Sequence, residues 1–195
     1  MPRIKAPTVK EHRLEQKKLL LDCSRKIILS EGLSGLSFDV LAIKAKISRP
    51  AVYEYFKTKD DLIREIILLE FSKWEEDLIK VIEAVEDPID VIQIFVKTQL
   101  IWVKQGRHQI PFILSNSKLS DDLILEIHQL HKKIIHILSK KLSEIDIQLS
   151  QEFIMMTSGV IHSTGQILAS SKSPNKVIDM AVNFVVGGLN HLLNK

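Results

Sequence analysis

The sequence predicts an all-α protein of about nine helices. Ile and Leu dominate the hydrophobic residues, which are 45% of the 195-residue chain, while only 7 residues are glycine and 6 are proline. Such a composition is typical of long helices with short connections rather than of strands and turns. The one plausible domain boundary, near residue 60, separates residues 1–60 from residues 61–195.

Four helices are predicted in the N-terminal part, each with a recognisable start. Thr8 and Glu11 have the capping-box spacing, and Gly32 is a suitable C-terminal cap for the first helix. Pro50 lies in the first turn of the third helix, where proline is tolerated. The expected helices run from Thr8 to about Ser30, from Ser37 to about Ala45, from Arg49 to about Phe56 and from Thr58 to about Ala84.

Five more helices are predicted after residue 85. Pro111 interrupts one of them, so residues 107–117 are expected to form a short or kinked helix. The others run from Asp87 to near Gly106, from Ser120 to about Ile145, from Ser150 onwards and from Ser173 almost to Lys195.

Positive charge is concentrated near the N-terminus. Residues 1–60 carry 13 Lys or Arg and 7 Asp or Glu, a net charge of +6, whereas the remainder carries 14 and 17, a net charge of −3. This distribution favours a polyanionic partner for the N-terminal part only, although a merely solvated face is also compatible with it.

Several classes of protein are excluded by what the sequence lacks. No apolar run approaches the roughly 20 residues of a membrane-spanning helix, and the start has no secretory signal. The single Cys23 excludes an intramolecular disulfide framework and a Cys-cluster metal site. His128, His131 and His136 have no carboxylate partner at helical spacing. We therefore expect a cytoplasmic protein without a metal or a resident cofactor.

The most informative segment is residues 35–62. It contains two short predicted helices joined by a tight turn at Lys46, with Leu41, Val52 and Phe56 spaced to pack inward. This is the helix-turn-helix arrangement, in which the second helix lies in the major groove of DNA. Similar helix pairs occur in bundles that bind no nucleic acid, so the spacing alone leaves both interpretations open.

The residue types favour DNA binding. Residues 48–62, SRPAVYEYFKTKDDL, resemble the serine, aromatic, lysine and acidic run of the TetR family of bacterial and archaeal regulators. The resemblance extends over about residues 11–70. It implies an N-terminal three-helix helix-turn-helix domain and a C-terminal helical ligand-binding and dimerisation domain. It also implies a homodimer that binds double-stranded DNA at a palindromic operator.

The resemblance assigns roles to residues of this segment. Arg49 is expected at base edges, where its guanidinium can bind guanine O6 and N7, and Tyr53 and Tyr55 match phosphate-binding positions. Glu54 is expected either to accept a hydrogen bond from cytosine or to repel wrong sequences. The full set of expected DNA-binding residues is Ser37, Lys44, Lys46, Ser48, Arg49, Pro50, Ala51, Tyr53, Glu54, Tyr55 and Lys59.

Lys46 departs from the family pattern, which usually has glycine in the turn. If this position needs a positive φ, lysine costs about 1 kcal/mol in strain. The added cation near DNA can offset that cost in the complex.

The last two helices are expected to form the dimer interface, as the family resemblance implies. They are rich in small residues, and glycine within a helix costs about 1 kcal/mol, which suggests a packing reason. The expected interface residues are Gly159, His162, Gly165, Val182, Val185, Val186 and Leu189. Packing within one chain is the other interpretation.

An apolar effector is expected in the C-terminal part. Its pocket is predicted from Phe95, Trp102, Phe112, Ile113, Phe153, Met155 and Met156, with Lys104, Arg107 and His108 near an anionic head group. An ordinary core is the alternative for each apolar residue. Resemblance to archaeal TetR-type regulators of fatty-acid metabolism implies a fatty acyl-CoA that releases the operator, hence a repressor. The alternative is a drug-like or aromatic effector of an efflux or catabolic operon.

Two other classes of protein compete with a regulator as interpretations of this sequence. An enzyme is not expected, because the sequence shows no Gly-rich phosphate loop and no nucleophile beside a base. A protein–protein adaptor built on a degenerate helix-turn-helix is the remaining rival.

Overall fold

The computed structural model of the protein describes residues 9–107, 109–144 and 149–193, and within these ranges it is all-helical, as predicted. The helices are α1 (Val9–Glu31), α2 (Phe38–Ala45), α3 (Arg49–Tyr53), α4 (Lys59–Ile82), α5 (Pro88–Lys104), α6 (Gln109–Ser115), α7 (Asp121–Glu144), α8 (Gln151–Leu168) and α9 (Pro174–Leu193). A short 3₁₀ turn, Leu33–Gly35, follows α1. The cap predicted at Thr8 lies outside the described residues.

Local capping explains why the helices begin where they do. The Ser37 hydroxyl accepts a hydrogen bond from the Val40 amide at 3.2 Å, and Asp87 caps α5 in the same way. Thr58 and Asp61 form a reciprocal pair, with each side chain accepting the other's backbone N–H at 3.0 and 2.9 Å. These predicted helix starts are confirmed.

Two chain reversals in the N-terminal part follow α1 and α3. Gly32 has a φ of 71° and follows α1 directly, a conformation that glycine adopts without a steric penalty. Helix α3 ends at Tyr53, earlier than the predicted Phe56, and the amides of Glu54 and Tyr55 bond to carbonyls three residues back. The turn brings the Phe56 ring into the core, where it is buried.

The chain forms two compact units. The first runs up to Glu70 and includes Ile110–Leu125; the second comprises Phe71–Gln109 and the chain from Glu126 onwards. This division differs from the predicted one at residue 60, since the first twelve residues of α4, Lys59–Glu70, group with the N-terminal unit.

The first unit is organised around the apolar faces of α1, α2 and the start of α4. Leu20, Ile28, Leu41, Val52 and Ile66 are fully buried there. Two ion pairs also join α1 to α4: Lys17 with Glu65 at 2.7 Å, and Arg25 with the buried Glu70. The helix-turn-helix is thus carried on a closely tied set of helices.

In the second unit, α5 packs against both α8 and α9. A separate aromatic cluster joins α4 to α7, where the half-buried His131 ring meets Phe71 edge-on at 4.8 Å and Trp74 at 5.8 Å between centroids. Among the described residues, no helix is long and apolar enough to cross a membrane.

Candidate functional site

The turn between α2 and α3 has a left-handed residue. Lys46 adopts φ 56° and ψ 40°, so the positive φ considered for this position is present. The Ile47 amide donates to the Ala42 carbonyl at 3.1 Å, a bond five residues back that closes the end of α2. Lys46 is exposed and its charge lies at the rim of the helix-turn-helix.

The N-terminus of α3 presents polar groups to solvent. Ser48 caps the helix by accepting a hydrogen bond from the Ala51 amide at 3.4 Å, and Arg49 and Pro50 follow in its exposed first turn. Ser37 and Ser48 accept through the hydroxyl oxygen, so each retains an O–H that can donate to a phosphate. Ala51 is half-buried, and Glu54 is exposed just after the helix.

The two predicted phosphate-binding tyrosines contact different side chains. Tyr53 is exposed, and the Phe38 ring meets it edge-on with centroids 4.9 Å apart. Tyr55 is half-buried, and the Arg13 guanidinium of α1 lies over its ring at 5.9 Å. Arg13, which the sequence did not single out, therefore adds a cation beside Tyr55.

Three of the predicted DNA-binding cations have protein partners. Lys44 pairs with Glu31 at 2.9 Å, and Lys59 donates to the Leu33 carbonyl at 3.1 Å. Arg49 pairs with Asp39 on α2, with 3.1 Å between Nη1 and Oδ1. The Leu33 contact ties the start of α4 to the turn after α1, so Lys59 has a structural role beside any role at DNA.

The residues predicted to line an effector pocket lie on three helices, α5, α6 and α8. Phe95 and Trp102 are buried on α5, whereas Phe112 and Ile113 are half-buried on α6, in the other compact unit. His108 lies outside the described residues.

Met155 and Met156, which were predicted to line an apolar pocket, are 66% and 62% exposed on α8. The inward face of α8 is instead occupied by Thr157, Thr164 and Gly165. At 3.6 residues per turn, Met155 and Met156 point away from that face. Phe153 is half-buried, and its ring carbon lies 3.2 Å from where a Cβ on Gly188 would stand.

The cations expected at an anionic head group are engaged within the second unit. Arg107 pairs with Asp77 of α4 at 2.8 Å and stacks over the Trp102 ring at 4.7 Å. Lys104 donates to the Asn175 side chain at 2.9 Å. An anion at this place would have to compete with Asp77 for Arg107. Within the described ranges, no group of His, Cys, Asp or Glu side chains could hold a metal.

Helix α9 has two apolar stripes, and the one predicted for the dimer interface faces the protomer's own core. Val182, Val185 and Leu189 are 7% exposed or less, and Val186 is half-buried. On α8, Gly165 is buried against Val103, with 3.8 Å between its ideal Cβ position and Cγ1. Gly165, Val182, Val185 and Leu189 are buried within the protomer, whereas Gly159 and His162 are exposed.

Apart from Gly159 and His162, the outward stripe is formed by residues that were not predicted for the interface. We call it the α8/α9 outer face: Met155, Met156, Gly159, His162 and Ile167 of α8 with Met180, Phe184, Gly187, His191 and Leu192 of α9. The positions of Met180, Phe184, Gly187 and His191 recur at helical spacing, so a second apolar stripe was visible in the sequence.

The first unit thus contains a helix-turn-helix whose second helix presents polar and basic side chains to solvent. Residues 20–66 match the family model described as "Bacterial regulatory proteins, tetR family". The matched segment runs from within α1 into α4. No curated protein matches the chain by sequence.

Solved structures share the fold over most of the chain. NemR of E. coli in its reduced form is 16% identical with a TM-score of 0.73, covering 88% of this chain and 95% of that one. FadR of Bacillus subtilis in complex with stearoyl-CoA is 18% identical with a TM-score of 0.68, covering 85% and 97%. AibR in complex with isovaleryl coenzyme A and operator DNA is 15% identical with a TM-score of 0.67, covering 87% and 97%. At these identities the likeness establishes the fold alone.

Proposed function

We propose that the protein is a TetR-type transcriptional repressor, a homodimer that binds a palindromic operator and is released by a fatty acyl-CoA. The observation that carries the DNA-binding part is the exposed first turn of α3, where Arg49 stands between the cap Ser48 and Pro50. A regulator of this kind acts in the cytoplasm, where its DNA is, and needs no catalytic group.

The charge and geometry of the first unit support DNA as the partner. Arg49 at the N-terminal end of α3 can reach base edges in the major groove, while Tyr53, Tyr55 and Lys46 border it as phosphate contacts. The positive end of the α3 dipole adds to this field. The net charge of +6 in residues 1–60 is consistent with the same partner.

The α8/α9 outer face supports a second copy of the chain as the dimer partner. Six of its side chains, Met155, Met156, Ile167, Met180, Phe184 and Leu192, are large and apolar and are 44–66% exposed. Two grooves of about 390 and 520 Å³ lie there, and both are lined by Met156, Val160 and Phe184. A twofold axis would place Phe184 of one copy in a groove of the other, and the helix glycines allow close approach.

The effector proposal draws on the apolar residues of the second unit and on the neighbours' ligands. FadR of Bacillus subtilis and AibR, which share the fold, were solved with stearoyl-CoA and isovaleryl coenzyme A. In this chain Arg107 and Lys104 are candidates for the phosphates, with Arg107 exchanging Asp77 for the ligand. Drug-like or aromatic effectors form the alternative class.

Gel shifts with the protein's own upstream DNA, against a scrambled duplex of equal length, test the DNA-binding part. We expect sequence-specific binding that weakens steeply with salt. Arg49→Ala should relax base preference at one position of each half-site, whereas Lys44→Ala should weaken binding to all sequences alike. Equal binding of both duplexes would contradict the proposal and favour an adaptor.

Native mass spectrometry of the purified protein tests for a co-purifying acyl-CoA.

A further inference from the structure

The first turn of α2 contacts the reading end of α3 through a carboxylate. Asp39 follows the capped start of α2, and its Oδ1 lies 3.1 Å from Nη1 of Arg49. Both side chains are more than half exposed, at 60% and 56%, so the pair contributes little to folding stability. What the contact does fix is the direction of the guanidinium.

A second side of the guanidinium is held by Tyr53. Nη2 of Arg49 donates to the Tyr53 hydroxyl at 3.4 Å, and the guanidinium carbon lies 5.8 Å from the ring centroid. The Tyr53 ring is itself fixed by the edge-on Phe38 ring, which immediately precedes Asp39 on α2. The Tyr53 hydrogen bond and then the Asp39 charge raise the pKa of Arg49 above its usual value.

The arrangement leaves Arg49 able to bind a base. A guanidinium has five N–H donors, and the contacts with Asp39 and Tyr53 engage one each. The other three are enough for a bidentate contact with guanine O6 and N7. Because the long arginine side chain is already directed by α2, less rotamer freedom is lost when it meets the base.

We propose that Asp39 is a specificity-determining positioning residue, which holds the Arg49 guanidinium in the orientation that reads guanine. The proposal rests on the proposed DNA-binding function and deepens it. Asp39 also places a negative charge beside the DNA backbone, so it disfavours sequences at which Arg49 gains no base contact to offset that repulsion. Its effect is therefore on discrimination between sequences more than on overall affinity.

In the alternative role, Asp39 only competes with DNA for the Arg49 guanidinium. In that role its removal would strengthen binding to all sequences equally and leave base preference unchanged. In the positioning role its removal lowers base preference at one position of each half-site. The two roles therefore differ in a measurable direction.

Selection of binding sites from a random duplex pool separates them, using wild type, Asp39→Ala, Asp39→Asn and Asp39→Glu at one salt concentration. We expect the preference for guanine at the Arg49 position to fall about tenfold in Asp39→Ala, within the range of a bidentate contact. Asp39→Glu should restore part of it. Non-specific binding should be unchanged or tighter in Asp39→Ala.

Glu31→Ala is the matched control, because Glu31 is an exposed acid paired at 2.9 Å with another predicted DNA-binding cation, Lys44. It should leave base preference as in wild type. In an Arg49→Ala background, Asp39→Ala should have no further effect on base preference. Thermal melts of each variant confirm that the domain is folded.

The proposal is overturned if Asp39→Ala keeps the wild-type base preference, or lowers it equally in the Arg49→Ala background. If wild type itself selects no sequence from the pool, the DNA-binding function fails, and the positioning role fails with it. If wild type selects a sequence and Asp39→Ala selects the same one with equal strength, only the positioning role fails.

Discussion

The turn between α2 and α3 shows how one residue carries opposite effects on stability and on binding. Lys46 sits in the left-handed region at φ 56°, where a β-carbon crowds the following carbonyl. Its charge stands beside the proposed DNA surface. Because lysine stands where the family usually has glycine, these two opposite effects were predicted from the sequence, and the positive φ is confirmed. The Asp39–Arg49 pair was beyond sequence reasoning, because the two residues meet only through the packing of α2 on α3.

Lys46→Gly should raise the free energy of unfolding by up to about 1 kcal/mol, because relief of the strained φ outweighs the extra freedom of glycine in the unfolded chain. The same change should weaken DNA binding. It should also reduce the slope of the logarithm of the binding constant against the logarithm of the salt concentration by about one. Denaturant unfolding and binding isotherms at several salt concentrations measure the two effects. Lys46→Asn, which tolerates the left-handed region, is the control for charge alone. Lower stability of Lys46→Gly would show that the backbone angle carries no strain.

At the scale of helices, the starts were predictable, whereas the face by which α9 meets the core was not. A helix start depends on a cap a few residues away, as at Ser37 and Asp87, so it can be recognised locally. Helix α9 carries apolar residues on two sides, and its sequence alone does not say which side meets α5. The larger side chains Phe184 and Met180 face outward, while the smaller Val182 and Val185 fill the core.

Phe184→Glu and Leu189→Ala distinguish the two faces of α9. Phe184→Glu should weaken dimerisation at least about 100-fold, since it replaces an interfacial ring by a charge, and leave the protomer folded. Leu189→Ala should cost about 2–5 kcal/mol of stability, since Leu189 is fully buried in the protomer. Analytical ultracentrifugation and thermal melts report the two effects. A dimeric Phe184→Glu protein would show that this face is not the interface.

The aromatic cluster between α4 and α7 predicts a pH dependence of stability. Burial, together with the nearby His128 and His162, lowers the pKa of His131 below its usual value, against the opposing effect of its hydrogen bond to the Ile127 carbonyl. The unfolded chain therefore binds a proton more readily than the folded one as pH falls below about 6.5. The folded state is therefore most stable above about pH 6.5, and its free energy of unfolding decreases as the pH falls towards the lowered pKa of His131.

His131→Phe should remove this dependence while keeping a ring against Phe71 and Trp74. Relative to wild type, the variant should gain up to about 1.4 kcal/mol per pH unit between pH 6.5 and the lower folded-state pKa. Denaturant unfolding from pH 7.5 to 5.0 measures it. His131→Gln, which lacks the ring, should be less stable than His131→Phe and share its flatter profile. Parallel curves for wild type and His131→Phe would contradict the assignment.

For the molecule as a whole, the proposed function couples two binding events, that of the operator and that of the effector. The tetR-family model matches residues 20–66, and over the rest of the chain the likeness to solved structures concerns the fold alone. The effector residues were predicted from hydrophobicity, and any apolar residue can equally belong to the core. Phe95, Phe112 and Met155 accordingly lie on different helices and differ in exposure. A DNA-recognition segment has a characteristic order of residue types along the sequence, whereas the residues that line an apolar pocket have no such order.

If an acyl-CoA and the operator favour different states, each must weaken the other by the same factor. Saturating oleoyl-CoA should raise the operator Kd about 5- to 150-fold, and saturating operator should raise the oleoyl-CoA Kd equally. Fluorescence anisotropy and calorimetry measure the two constants. Coenzyme A without an acyl chain and free oleate are the controls. Equal operator affinity with and without oleoyl-CoA would exclude this effector class as the inducer.

The α8/α9 outer face also has a consequence for spectroscopy. Of the chain's 4 methionines, the three after Met1, namely Met155, Met156 and Met180, all lie on this face with 62–66% of their surface exposed. Labelling of methionine methyl groups with ¹³C therefore places three reporters on the proposed interface and none elsewhere after the first residue. Mild peroxide would make the same side chains polar by oxidising them to sulfoxides. Their chemical shifts and their rate of oxidation would follow association of two chains without any change to the sequence.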